Sequence, residues 1–240
     1  GRADRFLARL PFSLTSAQRR SIEEIRRDLS SPRPMNRLLH GDVGCGKTIV
    51  AVWAILRTIA GGYQTSLMAP TELLARQQHA EISRLLAKEN CRTLLLVGSA
   101  ASKENLYSDI ADGRTDLVIG TQAIIQERVR FNRLGLVVID EQHRFGVLQR
   151  LKPFEKGDFP DVLVLSATPI PRTLCQTLYG DMDVSVIDEM PPGRLPVQTK
   201  CLPSSRLLAA YERIRASVRS GDRAYVVCPV IEEKETSERE

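Results

Sequence analysis

The stretch Gly41-Asp42-Val43-Gly44-Cys45-Gly46-Lys47-Thr48 decides the fold class of this chain. It matches the pattern G-x-x-x-x-G-K-[ST] at every fixed position, and that pattern is typical of a phosphate-binding loop. Residues 37–40 before it predict a strand, and the apolar run 49–56 after it predicts a helix. In that setting, backbone N–H groups and the positive helix end point at phosphate oxygens. The alternative is an ordinary glycine-rich turn, for which a chance match has odds on the order of one in a hundred.

A carboxylate after a second apolar strand supplies the other half of a nucleotide site. Residues 136–139 are all apolar, and Asp140 and Glu141 follow them directly. Lys47 is expected to reach the β- and γ-phosphates, and Thr48 and Asp140 to hold Mg²⁺ directly or through water. Glu141 is placed to orient or deprotonate the attacking water. The alternative for the acidic pair is a solvated strand end.

The composition is that of an ordinary globular protein. Of the 240 residues, 42% are hydrophobic and 26% charged, and this length predicts one to two domains. No stretch approaches the ~18 apolar residues of a membrane span. The five scattered cysteines form no C-x-x-C pair, which indicates free thiols in a reducing compartment. The net charge of +5 is compatible with a polyanionic partner without demonstrating one. We therefore expect a cytoplasmic protein.

Apolar runs alternate with segments of helical period along most of the chain. The predicted strands are 38–39, 66–69, 93–97, 116–119, 136–139 and 162–165. The predicted helices are 16–28, 48–60, 71–88, 102–112, 145–151 and 171–179. Because the apolar runs are continuous rather than alternating, the strands are expected to be covered on both faces. This pattern predicts an α/β fold, a parallel sheet with helices on both faces that binds its ligand at the carboxyl ends of the strands.

A proline-rich segment interrupts this pattern near residue 190. Pro191, Pro192, Gly193 and Pro196 predict a linker over 189–196. A strand at 197–201, a helix near 205–219 and a strand at 223–228 are predicted to follow, too little for a full core. We therefore expect a first domain at 1–188 and the truncated start of a second at 197–240. The absence of an initial Met and the highly charged end, 232–240, also predict a fragment.

The order of the motifs resembles that of superfamily 2 helicases and translocases. The matching segments are 12–18 before the phosphate loop, 69–78 (motif Ia), 119–123 (motif Ib), 140–143 (a DEQH form of motif II) and 166–168 (motif III). The resemblance implies a RecA-like P-loop domain with ATP and Mg²⁺ as cofactors. It also implies DNA as a partner, in the form of forked or branched duplex.

A closer resemblance is to the RecG family of bacterial branch-migration helicases. It rests on the blocks 140–147, 166–174 and 188–194, and 227–233 resembles the start of that family's second motor domain. The resemblance covers roughly residues 10–233. The Mfd family of transcription-repair coupling translocases shares many blocks but usually carries DEEH where this chain has Gln142. A non-catalytic ATP-binding module is a further alternative, against which the intact nucleotide motifs argue.

On the nucleotide side, the resemblance implies roles for several further residues. Gln18 would contact adenine, unless it is a surface helix residue. Gln142 and His143 would sense the γ-phosphate and contact motif III, unless they cap the following helix. The coupling of hydrolysis to strand grip would involve Ser166, Ala167 and Thr168.

On the DNA side, donors for the sugar-phosphate backbone are expected just after the strands. The candidates are Pro70, Thr71, Arg76, Gly120, Thr121 and Arg172. Thr71 could instead simply cap its helix, and Arg172 could be structural.

One block typical of this group does not occur in the sequence. The arginine fingers of the second motor domain lie in a Q-x-x-G-R-x-x-R block, which this chain lacks. Such a finger contributes on the order of 10³–10⁵ in rate in comparable phosphoryl transfers. A wedge domain of the resembled proteins would lie before Gly1. We therefore expect the chain to bind ATP–Mg²⁺ but to hydrolyse it poorly and unwind nothing alone. In the intact protein, ATP hydrolysis would drive branch migration and fork remodelling in recombination and repair.

Overall fold

The computed structural model describes residues 1–98, 103–140, 159–167, 182–193 and 197–227. The chain divides into two units, Gly1–Arg194 and Leu195–Glu240. The division falls inside the proline-rich segment 189–196.

Parallel strands form one sheet in the described part of the first unit. The seven strands are β1 (Asn36–Gly41), β2 (Gln64–Met68), β3 (Thr93–Leu96), β4 (Leu117–Gly120), β5 (Leu134–Asp140), β6 (Asp161–Ser166) and β7 (Asp183–Ile187). Their order across the sheet is β3-β4-β2-β5-β6-β1-β7, and every pairing is parallel. The first six lie where apolar runs predict them, so the parallel α/β class is confirmed.

The edge strand β7 is the one that the sequence pattern did not predict. Only Ser185 and Ile187 of its five residues are buried. A buried serine in a short alternating segment weakens the apolar signal on which strand prediction depends. Ser185 is tolerated there because its hydroxyl donates to the Glu24 carboxylate and accepts from Arg37 at 2.9 Å.

Helices connect the strands on both sides of the sheet. They are α1 (Arg2–Ala8), α2 (Ser16–Asp28), α3 (Lys47–Ala60), α4 (Glu72–Leu86) and α5 (Lys103–Ala111), with a 3₁₀ turn at Gln122–Ile125. The predicted helices in the α2 to α5 positions are confirmed, and α1 was not predicted. The predicted helices 145–151 and 171–179 lie outside the described residues.

The two larger apolar clusters among the described residues occupy opposite faces of the sheet. One contains Leu39, Leu67 and Ile119 and extends to Trp53 of α3. The other contains the residues next to them in sequence, such as Leu38, Met68 and Val118. Since consecutive strand residues point to opposite faces, this alternation confirms that both faces are covered. Trp53 in the helix after the loop is fully buried (0% exposed) and belongs to the core.

The second unit contains one helix among its described residues, α6 (Leu207–Arg219), preceded by a 3₁₀ turn at Ser204–Arg206. The predicted helix is confirmed. The strand predicted at 197–201 is wrong, and so is the strand predicted at 223–228 over its described residues 223–227, because both are irregular. A strand needs hydrogen bonds from a neighbouring strand, and the described part of this unit supplies no neighbour.

Among the residues that the structure describes, no helix is both long and apolar enough to cross a bilayer.

Candidate nucleotide-binding site

The predicted phosphate loop connects β1 to α3. Gly41 ends β1, and α3 begins at Lys47. Gly44 and Gly46 have φ angles of 81° and 88°, a left-handed conformation that glycine adopts without steric cost. Gly46 is also the N-cap of α3, so the unpaired N–H groups of the first helical turn lie at the end of the loop. This is the geometry of an anion site at a helix N-terminus.

The Lys47 ammonium lies against the start of the loop. Its Nζ donates to the carbonyl oxygen of Gly41 at 2.6 Å and to that of Asp42 at 3.0 Å. The Asp42 side chain accepts a hydrogen bond from the Val43 N–H at 2.7 Å. An ammonium has three donors, so these two bonds leave one for a ligand. Thr48 follows in the first turn of α3 and is half-buried.

Gln18 joins helix α2 to the phosphate loop. Thr15 and Gln18 form a capping box at the start of α2, in which the Thr15 N–H donates to Gln18 Oε1 at 2.9 Å. Gln18 Nε2 donates to the carbonyl oxygen of Cys45 at 2.8 Å, and a Cβ on Gly46 would collide with the same Nε2. Because Gln18 is only 2% exposed, the alternative of a surface glutamine is wrong. Its contact with adenine stays a prediction.

Asp140 ends β5, two strands away from the strand that carries the loop. In the register of the sheet, Asp140 pairs with Leu165 of β6, and Leu165 pairs with Leu39 of β1. The loop begins just beyond Leu39, at Gly41. Asp140 and the loop therefore share the carboxyl edge of the sheet, where parallel α/β folds bind ligands.

The oxygen donors at this edge fit Mg²⁺. A carboxylate from Asp140 and a hydroxyl from Thr48 are hard oxygen ligands, and Mg²⁺ is usually bound by one or two such side chains together with water and phosphate. The described residues contain no group of three or more His, Cys, Asp or Glu that could hold a metal by itself. The chemistry of the site therefore suits a cation that arrives with a nucleotide.

Motif III lies between the loop and Asp140. Ser166 ends β6, is 3% exposed and pairs in register with His40 of β1. Ala167 follows and is half-buried. The remaining predicted residues of this region, Glu141, Gln142, His143, Thr168 and Arg172, lie outside the described residues.

Motif Ia follows β2 and leads into α4. Thr71 is the N-cap of α4, and its Oγ1 accepts from the Leu74 N–H at 3.3 Å. The capping role is confirmed, and it leaves the DNA role of Thr71 a prediction. Arg76 donates to Glu72 Oε1 at 2.8 Å on the exposed side of the same helix. Pro70, just before the cap, is half-buried.

Motif Ib follows β4, the neighbour of β2. Gly120 pairs in register with Met68, and its carbonyl oxygen accepts from the Ala69 N–H at 2.8 Å. The two loops are therefore adjacent at the carboxyl edge. A Cβ on Gly120 would collide with the carbonyl of Leu96 in β3, so strand packing alone requires glycine here. Thr121 begins the 3₁₀ turn and is half-buried.

A glutamine that the sequence reasoning missed contacts Asp140. Gln78 lies on α4 and donates from Nε2 to Asp140 Oδ2. Ala75 and Ile82, at helical spacing from it, are fully buried, so Gln78 is a polar residue in an otherwise apolar row. That break in the pattern is the signal that could have found it. His79 is the next residue of α4, and burial lowers its pKa below the ordinary value of 6.5, which favours the neutral imidazole near pH 7.

A cavity of about 660 Å³ lies away from these residues. It is lined by residues before β1, β2, β5 and β6, among them Arg33, Arg57 and Tyr63. It is therefore at the amino edge of the sheet, and none of the predicted site residues that the structure describes lines it.

The predicted phosphate loop, the Asp140 carboxylate and the parallel sheet together define a P-loop nucleotide-binding domain. The model of the DEAD/DEAH box helicase family matches residues 15–177, and the chain belongs to that family. Membership of a helicase family implies the use of ATP. The match includes Gln18, the phosphate loop, Asp140 and motif III.

The relatives of the chain are more specific than the family. It is 51% identical over 235 residues to the ATP-dependent DNA helicase RecG of Thermotoga maritima, with 97% of this chain and 30% of that protein covered. It is 49% identical over 242 residues to RecG of Escherichia coli strain K12, with 98% and 35% covered. The chain thus spans about a third of the length of these relatives. The resemblance to RecG helicases is confirmed.

Solved structures agree with the sequence relatives. A structure of RecG bound to a three-way DNA junction superposes with a TM-score of 0.85 and 48% identity, covering 95% of this chain and 31% of that one. The DEAD-box helicase Mss116 bound to single-stranded RNA gives a TM-score of 0.65 at 19% identity, over 92% of this chain and 51% of that one. The second likeness shows the fold alone.

Proposed function

We propose that this chain is the first motor domain of an ATP-dependent DNA helicase that remodels branched DNA, and that it binds MgATP at the phosphate loop. The observation that carries the proposal is the register of three neighbouring strands. Asp140 of β5 is aligned with Leu165 of β6, and Leu165 is aligned with Leu39 of β1, so the acidic residue lies at the same edge of the sheet as the loop. The similarity to RecG over 97% of the chain supports the choice of helicase.

In this proposal the loop and the first turn of α3 hold the nucleotide phosphates. The contacts involve Gly41, Asp42, Val43, Gly44, Cys45, Gly46, Lys47 and Thr48. Lys47 neutralises phosphate charge, and Gln18 fixes the loop from α2 and contacts adenine. Thr48 and Asp140 hold Mg²⁺, which supplies charge neutralisation at the β- and γ-phosphates. Glu141 orients the attacking water, and Gln142 and His143 sense the γ-phosphate.

The DNA backbone is proposed to cross the carboxyl edge at the two adjacent loops after β2 and β4. The proposed contacts are Pro70, Thr71, Arg76, Gly120, Thr121 and Arg172. Backbone N–H groups, hydroxyls and two guanidinium groups give contacts that do not depend on base sequence but weaken with salt. Ser166 at the end of β6, together with Ala167 and Thr168 that follow it, couples the two sites. The related RecG structure is bound to a three-way DNA junction, which supports branched DNA as the partner.

We also propose a domain organisation for the chain. Residues 1–188 form the first RecA-like domain, 189–196 the linker, and 197–240 the start of a second RecA-like domain. The rest of the second motor domain and a wedge domain complete the working protein, which acts in the bacterial cytoplasm. On its own the chain binds ATP but hydrolyses it poorly, because no arginine-finger block occurs in its sequence.

The experiment is equilibrium binding of a fluorescent ATP analogue to the chain in Mg²⁺, with Lys47→Ala beside it. Binding in the micromolar range is expected, with at least a tenfold loss in Lys47→Ala. Lys88→Ala is the matched control, because Lys88 is an exposed lysine beyond the end of α4. Equal binding by Lys47→Ala and the parent chain would remove the phosphate loop from the proposal.

Forked DNA added to the same assay tests the proposed DNA contacts. A shift in nucleotide affinity that fades between 50 and 200 mM salt is expected if the loops after β2 and β4 contact phosphates. Brisk DNA-stimulated hydrolysis by this chain alone would contradict the proposal that it lacks part of its catalytic site.

A further inference from the structure

The contact between Gln78 and Asp140 has a fixed chemical direction. An ionised carboxylate only accepts hydrogen bonds, so Gln78 must present its NH₂ group to Asp140 Oδ2. The carbonyl oxygen of the same amide, Oε1, is thereby left to accept a hydrogen bond from another group. The hydrogen bond to Asp140 therefore determines which atom of the amide is nitrogen and which is oxygen.

The Oε1 atom of Gln78 is buried and has no hydrogen-bond partner in the described part of the chain. A buried acceptor without a partner destabilises the fold, and such groups in folded proteins are usually satisfied by water or a ligand. Few side-chain atoms in the described residues share this state. The others are Arg2 Nη2, Arg26 Nε, Asn36 Oδ1 and Ser66 Oγ. Of the five, Gln78 is the one bonded to a proposed Mg²⁺ ligand.

We propose that Gln78 is a positioning residue for the metal: Nε2 holds the Asp140 carboxylate, and Oε1 accepts a hydrogen bond from a water of the bound Mg²⁺. This inference rests on the proposed function. Mg²⁺ gives up its waters reluctantly and keeps several of them in nucleotide sites. These waters are strong donors, which an amide oxygen beside a ligating carboxylate can accept. Such outer contacts orient the ligands of a metal and strengthen its binding.

The position of Gln78 also connects the metal to motif Ia. Gln78 lies two turns into α4, whose first turn is capped by Thr71. A rigid helix therefore runs from the loop proposed to contact DNA to the side chain that holds Asp140. Movement of α4 would change the hydrogen bond to Asp140 directly.

The test measures metal affinity rather than activity. Mn²⁺ replaces Mg²⁺ as a paramagnetic probe, and its affinity for the complex of the chain with a non-hydrolysable ATP analogue is measured by electron paramagnetic resonance. Gln78→Leu is expected to weaken Mn²⁺ binding about tenfold, the lower end of the range for outer-shell residues. Binding of the analogue in EDTA is expected to change less than twofold, because the phosphate loop is untouched. A role limited to packing would not separate the two measurements in this way.

Two further variants make the result decisive. Gln126→Leu applies the same change to an exposed glutamine after the 3₁₀ turn and is expected to leave Mn²⁺ affinity unchanged. Gln78→Asn keeps the amide but shortens its reach, so it is expected to weaken Mn²⁺ binding as well, and it serves if Gln78→Leu does not fold. Mn²⁺ affinity within twofold of the parent in a folded Gln78 variant overturns the inference while the proposed function stands. Failure of the parent chain to bind the analogue at all would overturn both.

Discussion

The two units of the chain carry similar sequence signals and reach different structures. In the first unit, the apolar run 136–139 lies in β5 and every one of its residues is buried. In the second, the predicted strand 197–201 is irregular, and Val197 is 81% exposed. Yet the predicted helix of the second unit does form, although none of its residues is buried. A helix satisfies its backbone hydrogen bonds internally, whereas a strand depends on a neighbour. A strand predicted from an apolar run therefore forms only where another strand packs beside it, whereas a predicted helix depends partly on its local sequence alone.

The largest expected effect on the free energy of unfolding comes from comparing a leucine-to-alanine substitution in the first unit with one in the second. Leu56→Ala removes a fully buried side chain (0% exposed) of α3, whereas Leu208→Ala alters an α6 residue that is 79% exposed. We expect Leu56→Ala to lower the free energy of unfolding by about 2–5 kcal/mol and Leu208→Ala to change it by less than about 0.5 kcal/mol. Urea unfolding of the 240-residue chain measures both. Equal losses would mean that α6 is packed as tightly as α3.

A second pair of variants compares two glycines with the same backbone but different surroundings. Gly46 and Gly193 have φ angles of 88° and 89°, so alanine brings strain of about 1 kcal/mol or more at either position. At Gly193 a Cβ meets nothing within 4 Å, while at Gly46 it collides with Gln18. Gly46→Ala should therefore lower the free energy of unfolding by about 1–2 kcal/mol more than Gly193→Ala does, and it should also weaken binding of the ATP analogue.

The Gln18 contact can be isolated by a double-mutant cycle. Gln18→Ala removes the side chain that the new methyl group would strike. The cost of Gly46→Ala should therefore be smaller in the Gln18→Ala background than in the parent, as measured by urea unfolding. Strict additivity of the two changes would show that the collision is relieved in some other way.

A smaller difference in stability is expected between Asp116 and Asp161, two carboxyl groups at the amino edge of the sheet whose pKa values shift in opposite directions. Burial raises the pKa of Asp116, but the hydrogen bonds from Arg92, one of them 2.7 Å long, lower it more, so the net shift is downward. Burial raises the pKa of Asp161, and the bond from the Met35 N–H only partly offsets this. Near pH 7 the charge on Asp116 therefore stabilises the fold, and the charge on Asp161 opposes it.

Replacing each carboxyl by an amide should show these opposite signs. After discounting for the exposed Arg92, Asp116→Asn should lower the free energy of unfolding at pH 7 by about 1 kcal/mol or less. Asp161→Asn should leave it unchanged or raise it, because the amide oxygen can still accept from Met35. The stabilisation from Asp116 is present above the ordinary pKa of 3.8 and is lost as the pH falls through its lowered pKa. The penalty at Asp161 disappears below 3.8, so the difference between the variants should shrink on acidification. Urea unfolding at pH 7 and near pH 3 measures the difference, and equal effects at both values would contradict the assignment.

A small effect on stability is also expected at Arg76, in the first unit. Its ion pair with Glu72 is a helical i,i+4 contact, and the Arg76 side chain is 50% exposed. Arg76→Ala should cost about 0.5 kcal/mol or less in urea unfolding. If Arg76 contacts DNA, the same variant should reduce affinity for forked DNA several-fold at low salt, with a smaller difference at high salt. A large loss of stability with unchanged DNA affinity would make Arg76 a structural residue.

Much of the site was predictable because the relevant signals are local. The predicted phosphate loop is a contiguous stretch. Its glycines allow the backbone to turn, and the helix that follows begins at its lysine, so the local sequence is enough to produce the loop geometry. Asp140 follows a recognisable apolar run. The contacts of Gln18 with Cys45 and of Gln78 with Asp140 join residues 27 and 62 positions apart. No local pattern encodes such a distance, so these contacts emerge only when the strands are ordered.

Local signals in the sequence were enough to predict the α/β class, six of the strands, the glycine-rich loop and the acidic residue after β5, because periodicity and glycine conformation act over a few residues. The strand order, the edge strand β7, the burial of Gln18 and the hydrogen bond from Gln78 to Asp140 became visible only in the folded chain. The same is true of the irregular backbone at residues 197–201 and 223–227. Hydrogen bonds and burial between distant segments depend on which segments become neighbours, and that is a property of the whole fold.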